Sequence, residues 1–96
     1  MTNEIGKFSF TATRETAASY HDDGVVILHT GRGSMFTSNR TGASIWRGVE
    51  QQLPVDTIAQ KISSEYQISL STAREHTVHF LTNLQRHQLV HREVVS

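Results

Sequence analysis

The chain has 96 residues, zero formal net charge and no cysteine. It is long enough for one domain with a small core, and it excludes disulfides, thiolate catalysis and cysteine-held metals. Nine basic residues balance nine acidic ones, which argues against a nucleic-acid partner, because duplex binding draws on cations that neutralise phosphates.

The longest apolar run, Val25 to Leu28, falls far short of the roughly 20 residues of a spanning helix. The first ten residues hold no apolar stretch of signal length. A cytoplasmic protein with no membrane partner is expected.

In chain order, residues 1–15 read as an N-terminal arm in which Ile5, Phe8 and Phe10 are scattered; Phe8 and Phe10 alternate, so a short strand is open to them. Thr16 to His21 then runs into Asp22-Asp23-Gly24, a tight hairpin signal. Val25-Val26-Ile27-Leu28 is short and β-branched, which favours a strand. Gly31-Arg32-Gly33 marks a second turn, and Ser34 to Ser38 a third strand. Two close turns predict a three-stranded antiparallel meander whose most apolar strand is central.

Asn39 suits a helix N-cap. Gly42, Ile45, Trp46, Val49 and Leu53 follow on one helical stripe. Pro54 separates it from a second stripe, Val55, Ile58, Ala59, Ile62 and Tyr66. Ser69 caps a third helix with an apolar face of Leu70, Ala73, Thr77, Phe80, Leu81 and Leu84, ending near His87. Leu89 to Val95 suits a terminal strand, with 91–96 read as a tail. The predicted order is βββααα, an α+β, winged-helix-like domain over residues 16–90, with sheet and helices sharing one core.

No catalytic site emerges. Asp22 and Asp23 sit where turns favour Asp. The glycines form no phosphate-binding loop, and no serine lies in a nucleophile elbow. Among six histidines, His76 and His79 share helical spacing but point to the polar rear of the third helix. Neither a metal nor a cofactor is expected, and Trp46 reads as core.

The third strand is different. Ser34, Met35, Phe36, Thr37 and Ser38 include no charge and no proline, the usual guards of an exposed edge. Such an edge is either covered by the chain's own termini or used to pair with another strand. On the third helix, Val78 lies about 100° off the core stripe, with Arg74, Leu81 and Gln85 on the same flank. That flank is the expected opposite wall of a groove.

Three segments, GSMFTSNRTGASIW, PVDTIAQKISSEYQIS and AREHTVHFLTNLQRHQLV, resemble the PqqD-like family, small domains also called RiPP recognition elements. Gly33, Phe36, Asn39, Thr41, Gly42, Ala43, Ile45 and Trp46 match the family pattern. Met35 replaces a common aromatic residue and Ser38 a common leucine. The resemblance implies a peptide modification chaperone: it binds the leader of a ribosomally made precursor by strand addition and presents it to a modifying enzyme in natural product biosynthesis. Carried over by position, the leader lies along Ser34 to Ser38 and faces Arg74, Val78, Leu81 and Gln85. Members dedicated to pyrroloquinoline quinone synthesis carry Pro-Glu-Gly before this strand, whereas this chain has Thr30-Gly31-Arg32-Gly33. Another pathway is therefore expected, such as a lasso-peptide system.

The expected function is non-catalytic leader binding, with a peptidase, cyclase or radical enzyme as second partner. The alternative is a winged-helix DNA-binding regulator. Arg74 and Arg86 are the only Arg or Lys of the third helix, too few for a typical recognition helix. Self-pairing of the open edge into a homodimer is a third arrangement.

Overall fold

The computed structural model describes residues 8–94; Ile5 and Val95 lie outside them. Eight elements follow one another: β1 (Phe8–Ala12), β2 (Thr16–His21), β3 (Gly24–His29), β4 (Ser34–Ser38), α1 (Arg40–Glu50), α2 (Val55–Tyr66), α3 (Leu70–Arg86) and β5 (Val90–Val94). The meander β2-β3-β4 and the three helices are as the sequence predicts. The addition is a second sheet, in which β1 pairs antiparallel with β5.

That pairing changes the reading of arm and tail. The described parts of both join each other rather than the edge of β4. Phe10 and Val90 are buried in the common core, and Ser9 Oγ donates to the Gln52 carbonyl at 3.1 Å, tying β1 to the end of α1. The second sheet is therefore integral to the domain.

The meander is set by its turns. Asp22-Asp23 forms a two-residue loop closed by His21 opposite Gly24. Thr30 to Gly33 forms the next, with Gly33 at φ 71° and its N–H donating to the His29 carbonyl at 2.8 Å. A positive φ of this size is easy only for glycine. His29 is buried, and its Nδ1 accepts the Arg32 main-chain N–H at 3.1 Å, which braces the turn before β4.

Helix starts also follow local chemistry. Asn39 Oδ1 accepts from the Gly42 N–H at 3.0 Å, and Ser69 Oγ accepts from the Thr72 N–H at 3.1 Å. Asn39→Ala is expected to cost about 1 kcal/mol, read as a lowered midpoint in urea unfolding with an unchanged slope.

The stripes bury what their spacing implies: Ile45, Trp46 and Val49 on α1, Val55, Ile58 and Ile62 on α2, and Ala73, Leu81 and Leu84 on α3. Thr77 is buried among them, its hydroxyl satisfied by the Ala73 carbonyl at 2.7 Å. Leu70 departs from the expected apolar face. It is 51% exposed, because it opens α3 one turn beyond the packed region. On the far side of the meander, the Tyr20 hydroxyl donates to Glu50 and the Arg47 guanidinium stacks on the Tyr20 ring. Burial first, then the Glu50 carboxylate, holds the Tyr20 phenol well above its usual pKa.

Candidate functional site

Main-chain direction along β4 follows from its neighbours. A two-residue hairpin loop requires its flanking pair, His21 and Gly24, to exchange hydrogen bonds. The Thr30 N–H also donates to the Glu15 carbonyl at 2.7 Å. In an antiparallel strand each residue sends its N–H and C=O to the same side, and successive residues alternate. Gly24, Val26 and Leu28 therefore serve β2, while Val25, Ile27 and His29 serve β4. Their partners are Ser38, Phe36 and Ser34. Met35 and Thr37 are left with both main-chain groups facing outward. Among the described residues, no strand pairs with that outer edge.

Side chains alternate at right angles to this ladder. The Phe36 side chain turns toward the helices. Its ring meets Phe80 edge-on, with centroids 5.8 Å apart, and lies 5.4 Å from the His87 ring. Met35 and Thr37 point to the opposite, solvent face, and Met35 is 68% exposed.

Two glycines allow β4 to sit so close. A Cβ on Gly42 would fall 2.1 Å from Ser38 Oγ and 2.9 Å from the Phe80 ring. One on Gly24 would fall 1.9 Å from the Ser38 carbonyl oxygen. The Gly42 of the matched sequence pattern thus lets β4 and α3 close over the start of α1.

The predicted residues divide sharply. Ser34, Met35, Phe36, Thr37 and Ser38 make up β4 and carry the open edge. The four predicted positions on α3 do not face it. At about 100° per residue, Arg74, Val78 and Gln85 lie roughly 120°, 160° and 140° around the helix from Phe80. Arg74 Nε is instead 3.0 Å from Asp56 Oδ1 on α2. Val78 packs against the core, Leu81 is fully buried, and Gln85 is exposed.

The wall opposite β4 is the other flank of α3: Phe80 and His87, with His76 and Asn83 about 40° and 60° from Phe80. Sequence reasoning counted Phe80 as core and missed this flank. An amphipathic stripe has two flanks of equal standing, and only helix packing decides which one meets the sheet. A hollow of about 1070 Å³ between Leu70 and Thr82 lies along α3, and none of its described lining residues belongs to β4. A smaller one, about 320 Å³, includes Thr37, Ser38 and Val26 at the end of the open edge.

The described residues hold no group of three or more His, Asp or Glu placed for a metal ion. Their helices include none long and apolar enough to cross a membrane. What the site does offer is a row of main-chain donors and acceptors, unpaired among the described residues, beside an aromatic wall.

Residues 24–90 match the family model for coenzyme PQQ synthesis protein D (PqqD). Two solved structures are similar. One, TbiB1 in complex with the TbiA(beta) leader peptide, shares 26% identity at a TM-score of 0.77, covering 83% of this chain and 93% of that one. The other, lasso peptide synthetase B1 complexed with the leader peptide, shares 23% identity at a TM-score of 0.77, covering 86% and 98%; at that identity it speaks to the fold alone. No curated protein matches the chain.

Proposed function

Because the chain belongs to the PqqD family, we propose that it is a non-catalytic leader-binding chaperone for a ribosomally synthesised, post-translationally modified peptide. The observation that carries this reading is the unguarded edge of β4, where no described strand pairs with the outward main-chain groups of Met35 and Thr37. A leader segment adds there as a fourth strand. Its backbone pairs with β4, which gives sequence-tolerant affinity, and its alternate side chains pack on the helix side of the edge, against the Phe36–Phe80 pair, which gives selectivity.

The similar structure of TbiB1 was solved in complex with a leader peptide, which supports leader binding as the function. The missing Pro-Glu-Gly element favours a pathway of the lasso-peptide kind. A second protein performs the chemistry. It gains because a held leader keeps the core peptide at high effective concentration near its active site. The charge pattern of α3 adds nothing for DNA: one of its two arginines, Arg74, is paired with Asp56.

A short bound strand with an apolar anchor corresponds to a dissociation constant of order 1 μM or below. The α3 wall is tested by two variants titrated with fluorescently labelled leader. Phe80→Ala is expected to weaken binding at least fivefold. Val78→Asp, on the far flank, is expected to stay within threefold of wild type. The reverse pattern would move the groove to the Arg74–Gln85 flank.

A further inference from the structure

Among the described residues one titratable side chain is buried, that of His29, at 5% exposure. It ends β3 opposite Ser34, the first residue of β4. Its Nδ1 lies 3.1 Å from the Arg32 main-chain nitrogen. A main-chain N–H can only donate, so Nδ1 keeps its lone pair, the ring proton sits on Nε2 and the ring is neutral. Three further bonds seat the same turn. The Gly33 N–H donates to the His29 carbonyl at 2.8 Å and the Thr30 N–H to the Glu15 carbonyl at 2.7 Å, while the Arg32 guanidinium donates to Gln88 Oε1, just past α3. Of the turn's three main-chain donors, only that of Arg32 relies on a side chain, and that acceptor is lost if it takes up a proton.

Few groups stand ready to answer a charge on His29. Arg14 and Glu15 precede β2, both exposed, and the Glu15 carboxylate lies over Gly31. On β2, His21 is at the far end, opposite Gly24. β4 carries no charge. On α1, Arg40 is held by the Asp22 carbonyl, and Arg47 and Glu50 by Tyr20, the partner of Val25 at the other end of β3. Past Phe80 on α3, Arg86 turns about 120° away from it, and His87 lies against Phe36.

We propose that His29 is the positioning residue of the leader edge and makes leader binding proton-sensitive, the leader being held while His29 is neutral and released in acid. The proposal rests on the leader reading above. A proton on Nδ1 sets donor against donor and places a charge where water is excluded. Both are relieved when the turn opens. Ser34 then loses its fixed start, and the outward N–H of Met35, next along the strand, leaves the line that an added strand requires. Apparent affinity falls by the fraction of molecules whose turn is still closed. The neutral form is the braced one, so affinity is present at neutral pH and declines as pH falls through the range in which histidines charge.

The test titrates the full chain with a rhodamine-labelled synthetic peptide of the precursor's N-terminal half. From about pH 7.5 to about pH 5.5, wild-type affinity should fall at least about fivefold. His29→Asn offers Oδ1 near the place of Nδ1 and does not titrate; its affinity should change less than about twofold over the same interval. His29→Leu removes the acceptor and should bind at least about fivefold more weakly than wild type even at neutral pH. Without peptide, the Arg32 N–H should be protected from hydrogen exchange in wild type and His29→Asn and unprotected in His29→Leu. An acid loss that persists in His29→Asn, or that disappears in His87→Gln instead, overturns the proposal. So does wild-type affinity in a folded His29→Leu. If Arg32 exchange follows the brace but wild type binds no peptide at either pH, the leader reading fails and the coupling with it; if peptide binds without regard to pH, the coupling alone fails.

Discussion

Proline in place of Met35 or Thr37 is expected to lower leader affinity tenfold or more while the domain stays folded. Each of these residues turns its N–H away from β3, so proline removes no bond of the native ladder and is tolerated as an edge residue. What disappears is a donor to the incoming strand. A net main-chain hydrogen bond is worth about 0.5–1.5 kcal/mol, and the proline ring also crowds the approaching backbone. Together these reach the roughly 1.4 kcal/mol that equals a tenfold change. Phe36→Pro is the control. Its N–H serves β3, so the loss should fall on stability instead. Calorimetric titration with leader, alongside thermal melts by circular dichroism, separates the two. Wild-type affinity in a folded Met35→Pro and Thr37→Pro pair would rule out strand addition at β4.

Trp46→Ala carries the largest expected effect on stability, about 3–5 kcal/mol. Trp46 is the only tryptophan and is 1% exposed, in the middle of the buried stripe of α1. A loss of that size is a large share of the total stability of a small domain, and about 4–8 °C per kcal/mol puts the fall in melting temperature near 20 °C. The indole N–H has no partner among the described residues. Trp46→Phe therefore removes an unsatisfied donor together with less volume, and should cost well under half as much. A Trp46→Ala protein that melts like wild type but no longer binds leader would make Trp46 a contact residue rather than core.

The parts legible in the sequence are those set by neighbours along the chain. Asp22-Asp23-Gly24 and Gly31-Arg32-Gly33 dictate turns, which delimit β2, β3 and β4. Asn39 and Ser69 start helices by accepting from N–H groups three residues ahead. Helix ends were less visible. Gln52, Gln67 and Gln88 take left-handed conformations with φ of 58°, 55° and 61°, a role usually marked by glycine. The pairing of β1 with β5 left no local trace either, because its partners lie at opposite ends of the chain. Phe10 and Val90 only become core once those ends meet.

The unguarded character of the β4 strand was determined by the sequence itself, whereas the tertiary pairing of β1 with β5 decided that the described ends of the chain do not cover it. The length of β4, its place after a glycine turn and its lack of charge or proline are local properties, while the outward direction of the Met35 and Thr37 donors follows from the register of the meander. The wall facing that edge was decided only by tertiary structure. Helical spacing defines an apolar stripe but treats Arg74–Gln85 and Phe80–His87 as equivalent borders of it. The choice between them comes from how the helices pack: Arg74 turns to Asp56 on α2, and Gly42 leaves room for Phe80 to reach Phe36.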